Sequence, residues 1–366
     1  MDRRSFIKKA GLGAGGVVAA STLAAPAIAQ STTDMVIVST WPRDFPGLGI
    51  PAQRLAARIG ELTEGRINVQ YFAAGERVGA FDSFDEVASG NAQAYIGADY
   101  YWKGKHPGWA AFTAIPFGLT YTEMDAWIKF GGGQQLWDEL AGEFGLKNLA
   151  MGNTGVQMGG WFNKEIESAD DLKGLKMRIP GQGGDVMSKL GASPVSLPGG
   201  QIYENLVSGA IDATEWVGPF NDYFMKFYEA AKYYYFPGMH EPGAQLAMGM
   251  NASWWGSLSK TDQEIIKAAC AEENAATMAE TNANNGVYLQ KLITEHGVEL
   301  REFSDEVYDA FGEAAAEVLE EAMDHSPLSK KIFQSVVDAR QDIGSWMAIS
   351  DIAYSNKRNR VLGIPS

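Results

Sequence analysis

Asp171-Leu172-Lys173-Gly174-Leu175-Lys176-Met177-Arg178-Ile179-Pro180 is the stretch around which the rest of the chain can be read. Leu175, Met177 and Ile179 alternate with Lys176 and Arg178, the period-two pattern of a strand. Pro180 ends it, because proline offers no N–H to a ladder. A guanidinium held where a strand stops, beside a Pro-Gly turn, can grip a carboxylate through two parallel hydrogen bonds. An ordinary exposed arginine at a strand end fits the same ten residues, and composition and spacing leave both readings open.

Outward from this strand, β-type and helical patterns alternate. Residues 34–41 form a β-branched run, and Pro51 opens a helix with Leu55, Ile59 and Leu62 on one face, stopped by Gly65. Residues 67–72 read as a second strand, 81–89 as a short helix ended by Gly90, and 92–98 as a third strand. Downstream come a helix at 185–190, a strand at 193–196, and helices at 201–208 and 219–232. This alternation predicts an α/β fold with a mostly parallel sheet.

Two segments echo each other: VASGNAQA at 87–94 and LVSGAIDA at 206–213. Either the match is chance, or the chain carries two similar lobes that present strand ends to a shared, hinged cleft, where ligands of open α/β sheets sit. Tyr100 and Glu215 follow the two echoing strands. Between them, 122–144 reads as helical, capped by Thr122 with Asp125 and interrupted at Gly131-Gly132-Gly133; Trp127, Phe130 and Trp137 read as packing residues. Residues 245–250 read as a strand returning to the first lobe, and everything from Lys260 onward as helical.

The N-terminus has a different character. Arg3-Arg4 in a charged start, a Gly/Ala-rich run and Ala27-Ile28-Ala29 form the pattern of a twin-arginine export signal spanning 1–29, too weakly apolar for a membrane anchor. The formal charge of -15 becomes -18 once Arg3, Arg4, Lys8, Lys9 and Asp2 are removed with that segment. So acidic a chain argues against nucleic acid or an anionic membrane as partner. The single cysteine, Cys270, excludes an internal disulfide and reads as a buried thiol. The four histidines show no ligand spacing, and none is expected near the site. The remaining 337 residues suggest two lobes rather than one core.

The block Asp171–Pro180 resembles the signature of solute receptors of tripartite ATP-independent periplasmic (TRAP) transporters. The resemblance extends through Thr40-Trp41-Pro42, Gly79-Ala80-Phe81, Tyr100-Tyr101-Trp102-Lys103-Gly104-Lys105, Gly152-Asn153-Thr154-Gly155, Glu215-Trp216-Val217-Gly218-Pro219 and Tyr233-Tyr234-Tyr235-Phe236-Pro237-Gly238. It points to the branch that binds 2-oxo acids or lactate with a metal ion. It implies a two-lobed periplasmic binding protein fold with a hinged cleft and long C-terminal helices. Lobe I would take 34–152 and about 244–300, lobe II 153–243, and the C-terminal helices about 301–366.

By the same resemblance, Arg178 would take the ligand carboxylate, while Gln157, Glu215, the Trp216 carbonyl and Glu241 would hold Na⁺ or Ca²⁺. Hard cations want several oxygen ligands, and these residues supply them without sulfur or imidazole. Asn153, Tyr100 and Tyr101 would be hydrogen-bond partners, and Trp41 and Phe81 apolar walls, although for each aromatic core packing is the plain alternative. Removing Arg178 is expected to weaken ligand binding and leave the fold intact. The partners implied are a small carboxylate, the TRAP membrane subunits and a second copy joined through C-terminal helices; packing of the apolar tail on its own lobe would serve equally. An exported lyase or hydrolase, and the receptor of an ATP-driven importer, remain as alternatives; no G-x-S-x-G elbow or Cys/His pair supports catalysis.

Overall fold

The structure, a computed structural model, describes residues 32–364. The export-signal reading of 1–29 lies outside the described residues. Eleven strands follow in chain order: β1 Thr33–Ser39, β2 Ile67–Phe72, β3 Ala94–Gly97, β4 Leu146–Asn153, β5 Gly160–Phe162, β6 Lys176–Arg178, β7 Ser193–Val195, β8 Ala213–Thr214, β9 Tyr233–Phe236, β10 Gln245–Asn251 and β11 Glu299–Glu302. They form two sheets, β2-β1-β3-β10-β4 and β11-β9-β5-β8-β6-β7, with helices around them.

The sheets are mixed rather than mostly parallel, and the reason is topological. The first sheet delivers the chain to the cleft edge at Asn153, the C-terminal end of β4. Gln245, where the chain returns, pairs with Asn153 at that same edge, so β10 must run antiparallel to both its neighbours. In the second sheet β5 enters from the cleft edge and runs antiparallel to β8 and β9 for the same reason. The remaining pairs are parallel. β11 was not expected. It extends the second sheet beyond β9, pairing Glu299–Glu302 with Tyr233–Phe236.

Other departures are local. The inter-lobe helix begins at Tyr121 under a capping box of Thr120 and Glu123, not Thr122 and Asp125; Glu123 Oε2 accepts from Thr120 N at 2.7 Å. It ends at Phe130, and a second helix starts at Gly133 after Gly132 at φ 87°. Trp127 and Trp137 stack on Phe112 in the core, whereas Phe130 is 92 % exposed and packs nothing. The helix opened by Pro219 stops at Met225, because Lys226 takes a left-handed conformation (φ 58°). Cys270 is buried, its Sγ 3.7 Å from Met248 Sδ, and burial pushes its thiol up in pKa.

A 37-residue helix, Lys260–His296, spans about 55 Å at 1.5 Å per residue. It is capped by the Ser259 hydroxyl and closed by Gly297 at φ 67°. It packs on β4, on helix Gly49–Leu62 and on helix Pro219–Met225, so one rigid rod touches elements of both lobes. Helix Asp305–Asp324 then covers the second lobe through helix Gly181–Lys189. Helix Pro327–Ile349 returns to the first, against Pro107–Phe112 and the two inter-lobe helices.

Candidate functional site

Arg178 is the last residue of β6 and pairs with Val195 of β7 and Thr214 of β8. Glu215 is the next residue after β8, so the two side chains leave the carboxyl ends of neighbouring parallel strands, where open α/β sheets place their ligands. Both are 1 % exposed. Arg178 Nε donates to Leu197 O at 3.1 Å and Nη1 to Glu215 O at 3.3 Å. Nη1 also donates to Glu215 Oε1 in a short charge-assisted bond. Nη2 has no partner and is buried. The guanidinium lies 5.1 Å over the Trp216 ring, and Phe45 meets Trp216 edge-on at 6.0 Å.

Three backbone segments hold this pair in place. Gln157 N donates to Glu241 O at 3.0 Å, Gly238 N to Gln157 O at 2.9 Å, and Met158 N to Val217 O at 3.0 Å. The loop after β4, the loop after β8 and the return to β10 are thus stitched together beneath the site. Gln157 Nε2 donates to Glu241 Oε2 at 2.7 Å and to Thr154 Oγ1 at 3.1 Å, while Gln157 Oε1 is buried without a partner. The Trp216 carbonyl accepts no hydrogen bond among the described residues.

Electrostatics follow from burial. Desolvation, and then the neighbouring Glu215 charge, push the Glu241 carboxyl well above its usual range, with Arg178 pulling the other way. Burial also raises the Tyr100 and Tyr101 phenols. A cavity of about 20 Å³ remains, lined by Trp41, Tyr100, Tyr101, Gln157, Arg178, Trp216 and Glu241 among others. That is room for about one water. The lobes are tied across it: Lys103 Nζ bonds Asp185 at 2.5 Å, and Asn221 Nδ2 donates to Pro46 O at 2.9 Å.

Three of the expected site residues do not line this cavity: Asn153, Phe81 and Glu215, whose carboxylate is bonded to Arg178 and lies beside His240. Asn153 is fully buried but engaged with the backbone: Oδ1 accepts from Gly155 N at 2.9 Å and Nδ2 donates to Gly243 O at 3.2 Å. It shapes the loop that carries Gln157. Phe81 packs on Tyr101 at 4.8 Å and reaches the cavity only through that ring.

His240 overturns the expectation of a site without histidine. Its Nε2 lies 3.2 Å from Glu215 Oε2, and possible metal-ligand atoms of Glu215, His240 and Glu241 all fall within 4.8 Å of one another. Sequence spacing could not reveal it, since the contact joins residues 25 apart; its position beside Glu241 was the one available signal.

Comparison with known proteins agrees over nearly the whole chain. The model for the family described as bacterial extracellular solute-binding protein, family 7 (DctP), matches residues 38–326. A monocarboxylate 2-oxoacid-binding periplasmic protein of Nostoc is 37% identical over 366 residues, covering 97% of this chain and 98% of that protein. A TRAP solute binding protein of Bordetella bronchiseptica superposes with a TM-score of 0.89 at 35% identity, covering 91% of this chain and 98% of that one. That crystal contains a mixed-occupancy dimer with copurified calcium and picolinate in one site and the other site apo. A TRAP periplasmic solute binding protein of Pseudoalteromonas atlantica, with bound sodium and pyruvate, gives 0.86 at 37% identity, covering 89% and 99%.

Proposed function

The chain belongs to bacterial extracellular solute-binding protein family 7 and is a TRAP-transporter receptor, and from that premise we propose that its ligand is a small 2-oxo or 2-hydroxy monocarboxylate held together with a cation. The observation that carries this reading is the buried Arg178, with Nη2 free, at the edge of an oxygen-rich cavity. The guanidinium takes the carboxylate in a bidentate pair. Tyr100, Tyr101 and Trp41 surround the rest of the ligand, Ala244 and Leu246 supply apolar wall, and Phe81 backs Tyr101.

The residues present fit a hard cation. Glu215 and Glu241 offer carboxylate oxygens, and the unpartnered Gln157 Oε1 and free Trp216 carbonyl offer neutral ones. A bound Na⁺ or Ca²⁺ would supply positive charge for the ligand's α-oxygen and second carboxylate oxygen. Sodium with pyruvate in the Pseudoalteromonas protein and calcium with picolinate in the Bordetella protein support the choice. Thermal-shift and calorimetric screens of C2–C6 oxo and hydroxy acids, with Ca²⁺, with Na⁺ and with neither, test the reading. Pyruvate or a close homologue should give the largest shift in the presence of a cation. No shift with any member of the set would overturn it.

The His240–Glu215 contact favours a second reading, an exported enzyme acting on a small acid, since a buried imidazole on a carboxylate can move protons. NMR of the protein incubated with pyruvate and lactate separates the two, and the receptor reading expects the acids to remain unchanged. Delivery to TRAP membrane subunits, rather than to an ATP-driven importer, fits the family. We further propose that residues 1–29 direct export by the twin-arginine route, so that replacing Arg3 and Arg4 by lysine should leave precursor in the cytoplasm.

A further inference from the structure

The peptide joining Trp216 to Val217 carries one of the oxygens suited to a hard cation, and a buried carboxylate that does not line the cavity holds this peptide from behind. Val217 N donates to Asp222 Oδ1 at 3.2 Å. The peptide is trans, so its C=O and N–H point in opposite directions, and whatever fixes the N–H aims the Trp216 oxygen the other way. Val217 O accepts from Met158 N at 3.0 Å, so the following peptide is held too. Asp222 is itself anchored: Oδ2 accepts from Trp161 Nε1 at 2.9 Å and from Tyr234 OH at 2.7 Å. Trp161 of β5 and Tyr234 of β9 are register partners, fully buried, with their rings stacked at 4.0 Å. On the helix side, Asp222 N donates to Gly218 O at 2.9 Å, and Phe220 N to Asn285 Oδ1 at 3.0 Å.

We propose, resting on the cation reading above, that Asp222 is a positioning residue: through the Val217 N–H it aims the Trp216 carbonyl into the site and sets how well that oxygen receives a hard cation. It touches neither acid nor cation. A core anchor for the sheet would need only Oδ2, where the indole and phenol converge. The second oxygen is given to a single N–H in the loop that carries Glu215 and Trp216. An N–H bonded to a carboxylate is also polarised, which leaves more electron density on the carbonyl oxygen of the same amide. Asp222 thus does for a backbone ligand what a carboxylate does behind a metal-bound histidine, orienting it and raising its basicity.

Trp216-Val217 is the only Trp-Val pair in the chain, so labelling with carbonyl-¹³C tryptophan and ¹⁵N valine gives one NMR correlation, from this peptide alone. In metal-free protein, Asp222→Ala should move the Val217 amide proton upfield, the sign of a lost bond to a carboxylate. In saturating pyruvate it should also lower Ca²⁺ affinity, read by calorimetry, about tenfold or more. Tyr234→Phe removes a donor from Oδ2 and leaves Oδ1 in place. It should lower stability yet leave the Val217 proton where it was and Ca²⁺ affinity within about threefold. Asp222→Ser, whose shorter side chain does not reach Val217 N, should repeat both changes and serves if the alanine variant does not fold. An unmoved Val217 proton in Asp222→Ala, or a loss of Ca²⁺ affinity in Tyr234→Phe as large as in Asp222→Ala, would leave Asp222 a core anchor and overturn the positioning role. The cation reading is tested separately in the unaltered chain: Ca²⁺ with pyruvate should shift the Trp216 carbonyl resonance. An unmoved carbonyl would overturn that reading, whatever the variants do.

Discussion

At the scale of single residues, buried charge governs both binding and stability. Removing Arg178 was expected to leave the fold intact, but a 1 % exposed guanidinium paired with a 1 % exposed carboxylate changes that expectation. Breaking a buried pair by deleting one member costs about 3–5 kcal/mol. Arg178→Ala should therefore lower both the unfolding free energy, by an amount of that order, and pyruvate affinity, by at least a hundredfold; an unchanged urea midpoint would contradict the burial of the pair. Asp99 offers a cleaner pH test away from the site. Its carboxylate accepts from Tyr95 OH at 2.9 Å, Trp137 Nε1 at 2.9 Å and Asn148 Nδ2 at 2.8 Å, yet burial dominates and pushes its pKa up to about 7. The folded chain holds this proton in a range where the unfolded chain, titrating near 4, has lost it. Stability therefore falls as pH rises from about 4 to about 7, by a few kcal/mol at most. Asp222, also raised to about 7 by burial, adds a second such slope. Urea midpoints at pH 5 and pH 8 should differ less in Asp99→Asn than in the unaltered chain, the remaining difference belonging to Asp222.

At the scale of elements, the site depends on strand ends whose positions are set by backbone contact. Gly160 opens β5 at φ 122°, and a Cβ there would stand 2.7 Å from the Thr214 carbonyl of β8. Only a residue without a side chain lets β5 and β8 pair at this point, one residue before Glu215. Gly160→Ala combines a backbone clash with a disfavoured φ, and should cost about 3 kcal/mol of stability. Because the clash displaces Glu215, cation-dependent pyruvate binding should weaken in the same variant; retained affinity with lowered stability would separate strand pairing from site geometry. The antiparallel β10 and β5 belong to the same account. Neither is visible as antiparallel in its own residues, since an apolar run such as Leu246-Ala247-Met248 suits either direction. Their direction follows from where the chain leaves and re-enters each sheet.

At the scale of the whole molecule, the C-terminal end is unlike the rest. Trp346, Ile349, Ile352, Tyr354, Val361 and Leu362 are all more than half exposed, and helix Asp351–Leu362 buries no residue. So much apolar surface on one helical tail is uncommon in a monomer. Its own chain leaves this tail more than half exposed, and association of two copies through it is an expectation that sedimentation checks. The full chain should sediment as a dimer, and a chain stopped after Ser350 as a monomer; identical sedimentation of the two would remove the tail from the interface.

Some of this protein is legible in one dimension. Strands built of alternating or β-branched residues, helices opened by Pro51 and closed by glycine, and an arginine at a strand end all follow from local stereochemistry and from motif resemblance, because the information lies within a few consecutive residues. What the linear chain withholds is whatever joins distant segments: the imidazole of His240 on Glu215, the engagement of Asn153 with backbone, the strand β11 added to the far edge of the second sheet, and above all the pairing of Arg178 with Glu215. Those contacts span 25 to 90 positions, or arise at a strand end whose neighbour is chosen by topology. Only when the strands assemble side by side does burial remove the water that would otherwise keep the two charges apart, and that is why the tertiary structure alone decided that Arg178 and Glu215 are paired.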